Sequence, residues 1–275
     1  MSEFPALVGE LAARLSKIDG VLGVALGGSH ATRTATPSSD IDLSLAYGGE
    51  ATVNGSVGFD LSALRELCCE LDDSGSAEPA PIGGWGPWVD GGAWLTVQGQ
   101  RVDFIYRDLR RVKKSVLDAQ AGLTTLYTQP GHPHGIHAHH YAAELASCVI
   151  LHDPSGQLAA LQRQMSRYPP ALAKALQSHY GWQKGFWLDC AEKGLRRGDM
   201  HYVQGCLYSS VMSLVQEICA VSGVWLLNEK GALARAAAQA AAPCDLEARV
   251  HAALPTADVA ALRVLNEEIC LPAHF

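Results

Sequence analysis

The chain has 275 residues, 48% of them hydrophobic, and a formal net charge of −7. That length allows one large domain or two of ordinary size, and the acidic balance excludes a protein that grips a nucleic-acid backbone over a long surface. Eight scattered cysteines form no Cys-x-x-Cys pair, which points to reduced, buried thiols rather than a disulfide framework or a zinc site.

No apolar run approaches bilayer-spanning length. The first fifteen residues carry acids and no long apolar core, so no signal peptide is expected. The expected location is the cytoplasm.

In chain order, residues 5–17 read as an amphipathic helix with Leu7, Leu11 and Leu15 at helical spacing. Residues 21–26 (VLGVAL) are a short apolar run that stops at Gly27 and Gly28, as a strand does. The stretch that follows, LGGSHATRTATPSSDIDL over residues 26–43, holds a Gly-Gly-Ser turn and then Asp40 and Asp42. Ile41 and Leu43 alternate with the aspartates. A strand has period two, so both carboxylates share one face while Ile41 and Leu43 share the other. Two carboxylates on one face repel unless a hard cation bridges them, and Mg²⁺ suits that task because it leaves positions for substrate phosphates. Glycine lets backbone N–H groups approach an anion closely. A helix starting near His30 would put Ser29 at its N-terminus, where free N–H groups favour phosphate.

Residues 48–58 read as a loop and 61–71 as a second helix. Residues 72–92 are rich in Gly and Pro and carry Trp85 and Trp88. Loops of this length are often functional, and two readings stand open: a tryptophan-lined flap, or a surface loop pinned by buried indoles. Residues 93–97 and 101–106, joined by Gln98-Gly99-Gln100, look like a β-hairpin, with Asp103 facing opposite to Val102 and Phe104. Helical periodicity then dominates over 108–119, 136–151, 157–167, 171–194, 200–222, 224–242 and two short segments from 245 onward. The histidine cluster over residues 131–140 (GHPHGIHAHH) lacks His-Glu-x-x-His and any cysteine at ligand spacing. It reads as a polar loop near an interdomain cleft, with Glu144 on the following helix projecting into that cleft. Asp199 is a natural helix N-cap, and Lys230 lies in a polar break between two apolar helices.

The order Gly28-Ser29, a short gap, Asp40-x-Asp42 and a later Asp103 resembles the nucleotidyltransferase superfamily of DNA polymerase beta type. The chain departs from that pattern in carrying Thr32-Arg33-Thr34 where many relatives have Arg-Gly. Over the helical half the layout is similar to aminoglycoside adenylyltransferase-like proteins, more loosely. There Gly198-Asp199 resembles an acceptor-contacting helix start, and Lys230 a lysine that meets ATP phosphates.

The resemblance implies an α/β (α+β) nucleotidyltransferase domain with a small mixed sheet over residues 1–120. An all-α helical bundle would follow over 121–275. It implies Asp40, Asp42 and Asp103 as catalytic residues and as ligands for two Mg²⁺ ions, with Asp103 also a candidate base. Gly27, Gly28, Ser29 and Lys230 would bind the nucleotide, and Glu144 and Asp199 a polar, cationic acceptor. The reaction would move a nucleoside monophosphate, AMP from ATP, to a hydroxyl of a small molecule. Alternatives are a protein-modifying, antitoxin-like nucleotidyltransferase and a non-catalytic nucleotide-binding protein. Neither a membrane nor a nucleic acid is expected as partner.

Overall fold

Alternating apolar residues on neighbouring strands give the first half of the chain a sheet with one buried face. The structure is a computed structural model that describes residues 6–48, 52–53 and 56–270. Helix α1 (Ala6–Leu15) turns Val8, Leu11 and Leu15 inward and leads to β1 (Val21–Leu26). The short α2 (Gly28–Ala31) and a loop follow, then β2 (Ile41–Tyr47). Part of the loop expected over 48–58 lies outside the described residues; what is described includes two short strands, β3 (Thr52–Val53) and β4 (Ser56–Val57). Helix α3 (Leu61–Leu71) starts where the Asp60 carboxylate accepts from the N–H groups of Ser62 and Ala63, both at 3.0 Å.

Strands β5 (Gly92–Val97) and β6 (Gln100–Asp108) form the expected hairpin. The crossover through α3 brings β6 back parallel to β2, since a parallel pair needs a long connection. Then come α4 (Leu109–Gln120), β7 (Leu126–Gln129), β8 (His132–His137), α5 (His140–Ser147), β9 (Val149–His152) and α6 (Gln157–Gln164). The main sheet has the order β5-β6-β2-β1-β9 and is mixed, with β2 and β6 its parallel pair. Leu26, Ile41, Leu43, Leu45, Val102, Phe104 and Tyr106 pack with α1 and α3 in one core.

The contacts divide the chain into two units, and not at residue 120. One unit is residues 1–117 with 140–166; the other is 118–139 with 167–275. The reason is β9, which pairs antiparallel with β1 at the sheet edge and carries α5 and α6 into the first unit. Residues 136–151 are therefore strand, helix and strand rather than one helix.

The second unit holds the β7–β8 hairpin and helices α7 (Pro170–Gly181), α8 (Gln183–Arg197), α9 (Met200–Val221), α10 (Ala232–Ala237), α11 (Leu246–Thr256) and α12 (Val259–Glu267). It is thus helical with a hairpin, not all-α. The periodic stretch 171–194 breaks at Trp182 into two helices, and the alanine-rich segment forms only the six residues of α10. Helix α9 is buried all round over residues 210–221, as a central helix must be. Among the described residues no helix is long and apolar enough to cross a membrane.

Candidate active site

The open face of the sheet carries the site. On β2, Ile41, Leu43 and Leu45 enter the core while Asp42 and Ser44 take the other face. On β6, Val102, Phe104 and Tyr106 are buried in the core, so Asp103, Ile105 and Arg107 share the opposite face. The parallel register sets Asp42 beside Asp103. The antiparallel hairpin sets Trp94 on the other side of Asp103, and Thr96 beside Arg101. The strand alternation expected for Asp42 and Asp103 thus sets both on one face, while Asp40 stands just before the strand, in the loop.

The Gly-Gly-Ser turn closes on the same carboxylates. The Gly27 N–H donates to the Asp42 carbonyl at 2.8 Å, which holds the turn against β2. Gly28 has φ +58, and a Cβ there would lie 1.9 Å from Asp42 Oδ2. Both the backbone angle and the space therefore require glycine. Ser29 follows in α2 and is half-buried, its carbonyl accepting from Thr34 N at 2.9 Å. Where the chain departs from the family's Arg-Gly, Arg33 itself takes a left-handed φ of 59°.

Asp40 is half-buried at the end of the preceding loop. Its Oδ1 lies 2.6 Å from Arg101 Nε, an ion pair whose N–H is not aimed for a hydrogen bond. The start of β6 ties that loop down, with Gln100 Nε2 donating to the Ser39 carbonyl at 2.8 Å and Arg101 Nη2 to the Ser38 carbonyl at 3.3 Å.

The electrostatics separate two acids of this unit. Burial pushes the Asp42 carboxyl up to about 6, and the negative charges of Asp103, Asp40 and Glu144 push the same way, with Arg107 partly offsetting them. Glu144 is half-buried, and desolvation alone would raise it. The Arg107 guanidinium and His140 outweigh that and hold it well below the usual carboxylate range. Arg107 donates to both Glu144 oxygens at 2.6 Å, the bidentate geometry that makes such pairs strong. Glu144 therefore sits in the sheet-bearing unit with its charge committed to Arg107, and a cationic acceptor would have to compete for it.

Asp42, Asp103 and Asp40 are hard oxygen donors, the chemistry that Mg²⁺ selects. The raised Asp42 pKa comes first from its burial and then from the neighbouring carboxylates, and a divalent cation would offset both. In that sense the residues fit the ion. Among the described residues no three side chains stand already gathered in ligand geometry, and Asp40 is turned to Arg101.

The remaining expected residues lie in the second unit. Asp199 caps α9, its carboxylate accepting from Tyr202 N at 3.2 Å, and is exposed. Lys230 is exposed in the loop before α10, and its N–H donates to Asn228 Oδ1 at 3.0 Å. A role for Lys230 toward phosphates rests on the resemblance alone. The histidine cluster is not a loop but strand β8 and the turn after it. His137 and His134 meet the Tyr180 hydroxyl at 2.5 and 3.2 Å. Glu229, next to Lys230, accepts from His134 N at 3.0 Å and pairs with His132 at 3.2 Å.

The tryptophan loop is pinned rather than hanging free. Asp90 is buried and accepts from the Tyr47 hydroxyl at 2.8 Å and Arg111 Nη1 at 2.6 Å. The Tyr141 hydroxyl donates to the Trp88 carbonyl. Three site residues escaped the sequence reading: Arg101, Arg107 and Trp94. Trp94 had a signal. With Gln98-Gly99 as the turn, the hairpin register alone sets residue 94 opposite residue 103.

No family model matches the chain, and no curated protein matches its sequence significantly. Among solved structures, it is similar to a nucleotidyltransferase-like protein from Exiguobacterium sibiricum 255-15, at 11% identity. The match covers 95% of this chain and 72% of that one, with a TM-score of 0.37. At that score it carries no argument about this chain's fold or activity.

Proposed function

We propose that the sheet-bearing unit is the catalytic part of a Mg²⁺-dependent nucleotidyltransferase. It would transfer a nucleoside monophosphate, AMP from ATP, to a hydroxyl of a small molecule, of which an aminoglycoside-like antibiotic is one class. The observation that carries this reading is the junction of turn and carboxylates: Gly28 lies so close to Asp42 that a Cβ would meet its carboxylate, while Asp103 stands beside Asp42 on the next strand.

On this reading Asp42, Asp103 and Asp40 hold the cation. When bound, the cation draws the reacting oxygens together and neutralises charge developing on the phosphates. The N–H groups of Gly28 and Ser29 hold the triphosphate tail, while Gly27, whose own N–H is bound to the Asp42 carbonyl, shapes the turn. The acceptor oxygen forms a bond to the α-phosphorus as the bond to the bridging oxygen breaks, and pyrophosphate leaves with that electron pair. The hydroxyl proton passes to a carboxylate within hydrogen-bond reach, for which Asp103 is the candidate.

The test is mass spectrometry of reactions with each nucleoside triphosphate, Mg²⁺ and a panel of hydroxylated metabolites and antibiotics. The expected result is a nucleotidyl mass addition on one acceptor with one pyrophosphate released per addition. Retention of that activity by Asp42→Asn, within a few-fold of wild type, would refute the assignment.

A further inference from the structure

Across the sheet the order β5-β6-β2-β1 arranges the site in a line. The Gly28-Ser29 turn, which follows β1, lies on one flank of Asp42; Asp103 lies on the other; Trp94, on β5, lies one strand further still. Trp94 is the most exposed tryptophan described, at 67%. It is held firmly: Trp85 stacks on it, ring centroids 4.5 Å apart and planes within 17°. Gly92 makes room for that stack, since a Cβ there would lie 2.8 Å from the Trp85 ring. Trp94 also lines a cavity of about 600 Å³ together with Asp103, Asp40, Arg101, Thr96 and Ser74.

We infer that Trp94, backed by Trp85, is the platform on which the ring of the acceptor stacks, one strand beyond Asp103. This rests on the nucleotidyltransferase reading. In an in-line displacement the attacking oxygen approaches the α-phosphorus from the side away from the leaving pyrophosphate. With the triphosphate tail on the glycine turn, that side is the β5 flank, where Trp94 stands. The walls name the chemical class. An indole offers a flat apolar face on which a ring can lie, and the same cavity sets the hydroxyls of Ser74, Ser76 and Thr96 and the carboxylates of Asp72 and Glu78 around it. The acceptor is accordingly a polyhydroxylated ring, a sugar or cyclitol, with one hydroxyl directed at Asp103. On this inference the ring of the acceptor meets the hairpin, where the sequence had pointed to Glu144 and Asp199.

The test uses the whole chain with ¹⁵N-labelled tryptophan. The Trp94 indole signal is assigned by its loss in Trp94→Phe, and the probes are methyl α-glucopyranoside, glucosamine, sorbitol as an open-chain control, and MgATP. The cyclic probes should shift the Trp94 signal, sorbitol should not, and Trp94→Ala should weaken cyclic-probe binding at least tenfold while MgATP affinity stays within twofold. The platform is overturned if no cyclic probe shifts the signal, if sorbitol shifts it equally, or if Trp94→Ala and Trp94→Phe both bind the cyclic probes as wild type does. A shift caused by MgATP alone would make the platform a nucleobase site and overturn the acceptor assignment. Ring binding by a protein that does not bind MgATP would overturn the nucleotidyltransferase reading and leave the platform standing.

Discussion

Two groups of buried polar residues, one in each unit, are organised in opposite ways. In the second unit the polar side chains answer each other: His137 and His134 share the Tyr180 hydroxyl, Glu229 receives His132 and a backbone N–H, and Lys184 pairs with Glu217. These contacts fix a hairpin and helices. On the open face of the sheet, Asp42 is instead placed among further acids, and its carboxyl is pushed up to about 6. Satisfied buried polar groups stabilise a fold, whereas a carboxylate that is both buried and set among like charges costs stability, which is the pattern of a functional site rather than a structural one. Glu144 shows the contrast within one unit, since Arg107 and His140 turn a half-buried acid into a structural one.

The sharpest way to break this comparison is Asp42→Asn. If the acids are functional, transfer activity should fall on the order of 10³-fold. The same change should stabilise the protein without metal. The Asp42 folded pKa is raised, so its stabilising contribution is present below the ordinary value of 3.8 and is lost as pH rises through about 6. Asp42→Asn should therefore exceed wild type at pH 8 by at most about 3 kcal/mol in urea unfolding, and the difference should vanish near pH 4. Equal stability at both pH values would remove the electrostatic argument.

Glu144→Gln probes the opposite kind of acid. It leaves Arg107 buried beside a neutral partner, and a loss of roughly 3 kcal/mol is expected. The Glu144 pKa is depressed, so its contribution is present above the ordinary value of 4.5 and lost as pH falls through the folded value. The gap between wild type and variant should accordingly narrow in acid. Calorimetric melting across that range reads it.

Much of this contrast was legible in the sequence, for a local reason. Period-two alternation at Asp40-Ile41-Asp42-Leu43 and at Arg101–Tyr106 states which face each residue takes, and the hairpin turn fixes register. What failed was non-local. Strand β9 is four residues, Val149–His152, and nothing nearby says that it pairs with β1, so it was read into a helix. Strand β8 carries Pro133 and Gly135, which mark a loop by composition, and only its pairing with β7 makes it a strand. The Arg107–Glu144 pair joins residues far apart in sequence and leaves no pattern.

Gly28→Ala sharpens the role of the turn. The new Cβ would collide with Asp42 Oδ2 in a left-handed backbone, so the carboxylate must move. Steady-state kinetics should show a loss of about 10²-fold, with a stability loss of more than about 1 kcal/mol. The smallest effect belongs to Asp199. As a plain cap of α9, Asp199→Ala should cost about 1 kcal/mol and Asp199→Asn only a few tenths, read by thermal melting. A raised acceptor KM for Asp199→Asn with an unchanged melting temperature would return Asp199 to the substrate.

The central claim is that Asp42 and Asp103 form a cation-and-nucleotide site. Calorimetric titration of MgATP into wild type, Asp42→Asn and Asp103→Asn tests it most directly. The account predicts Mg²⁺-dependent binding by wild type, weakened at least tenfold, about 1.4 kcal/mol, in each variant; equal affinity in all three, or binding indifferent to Mg²⁺, would contradict it.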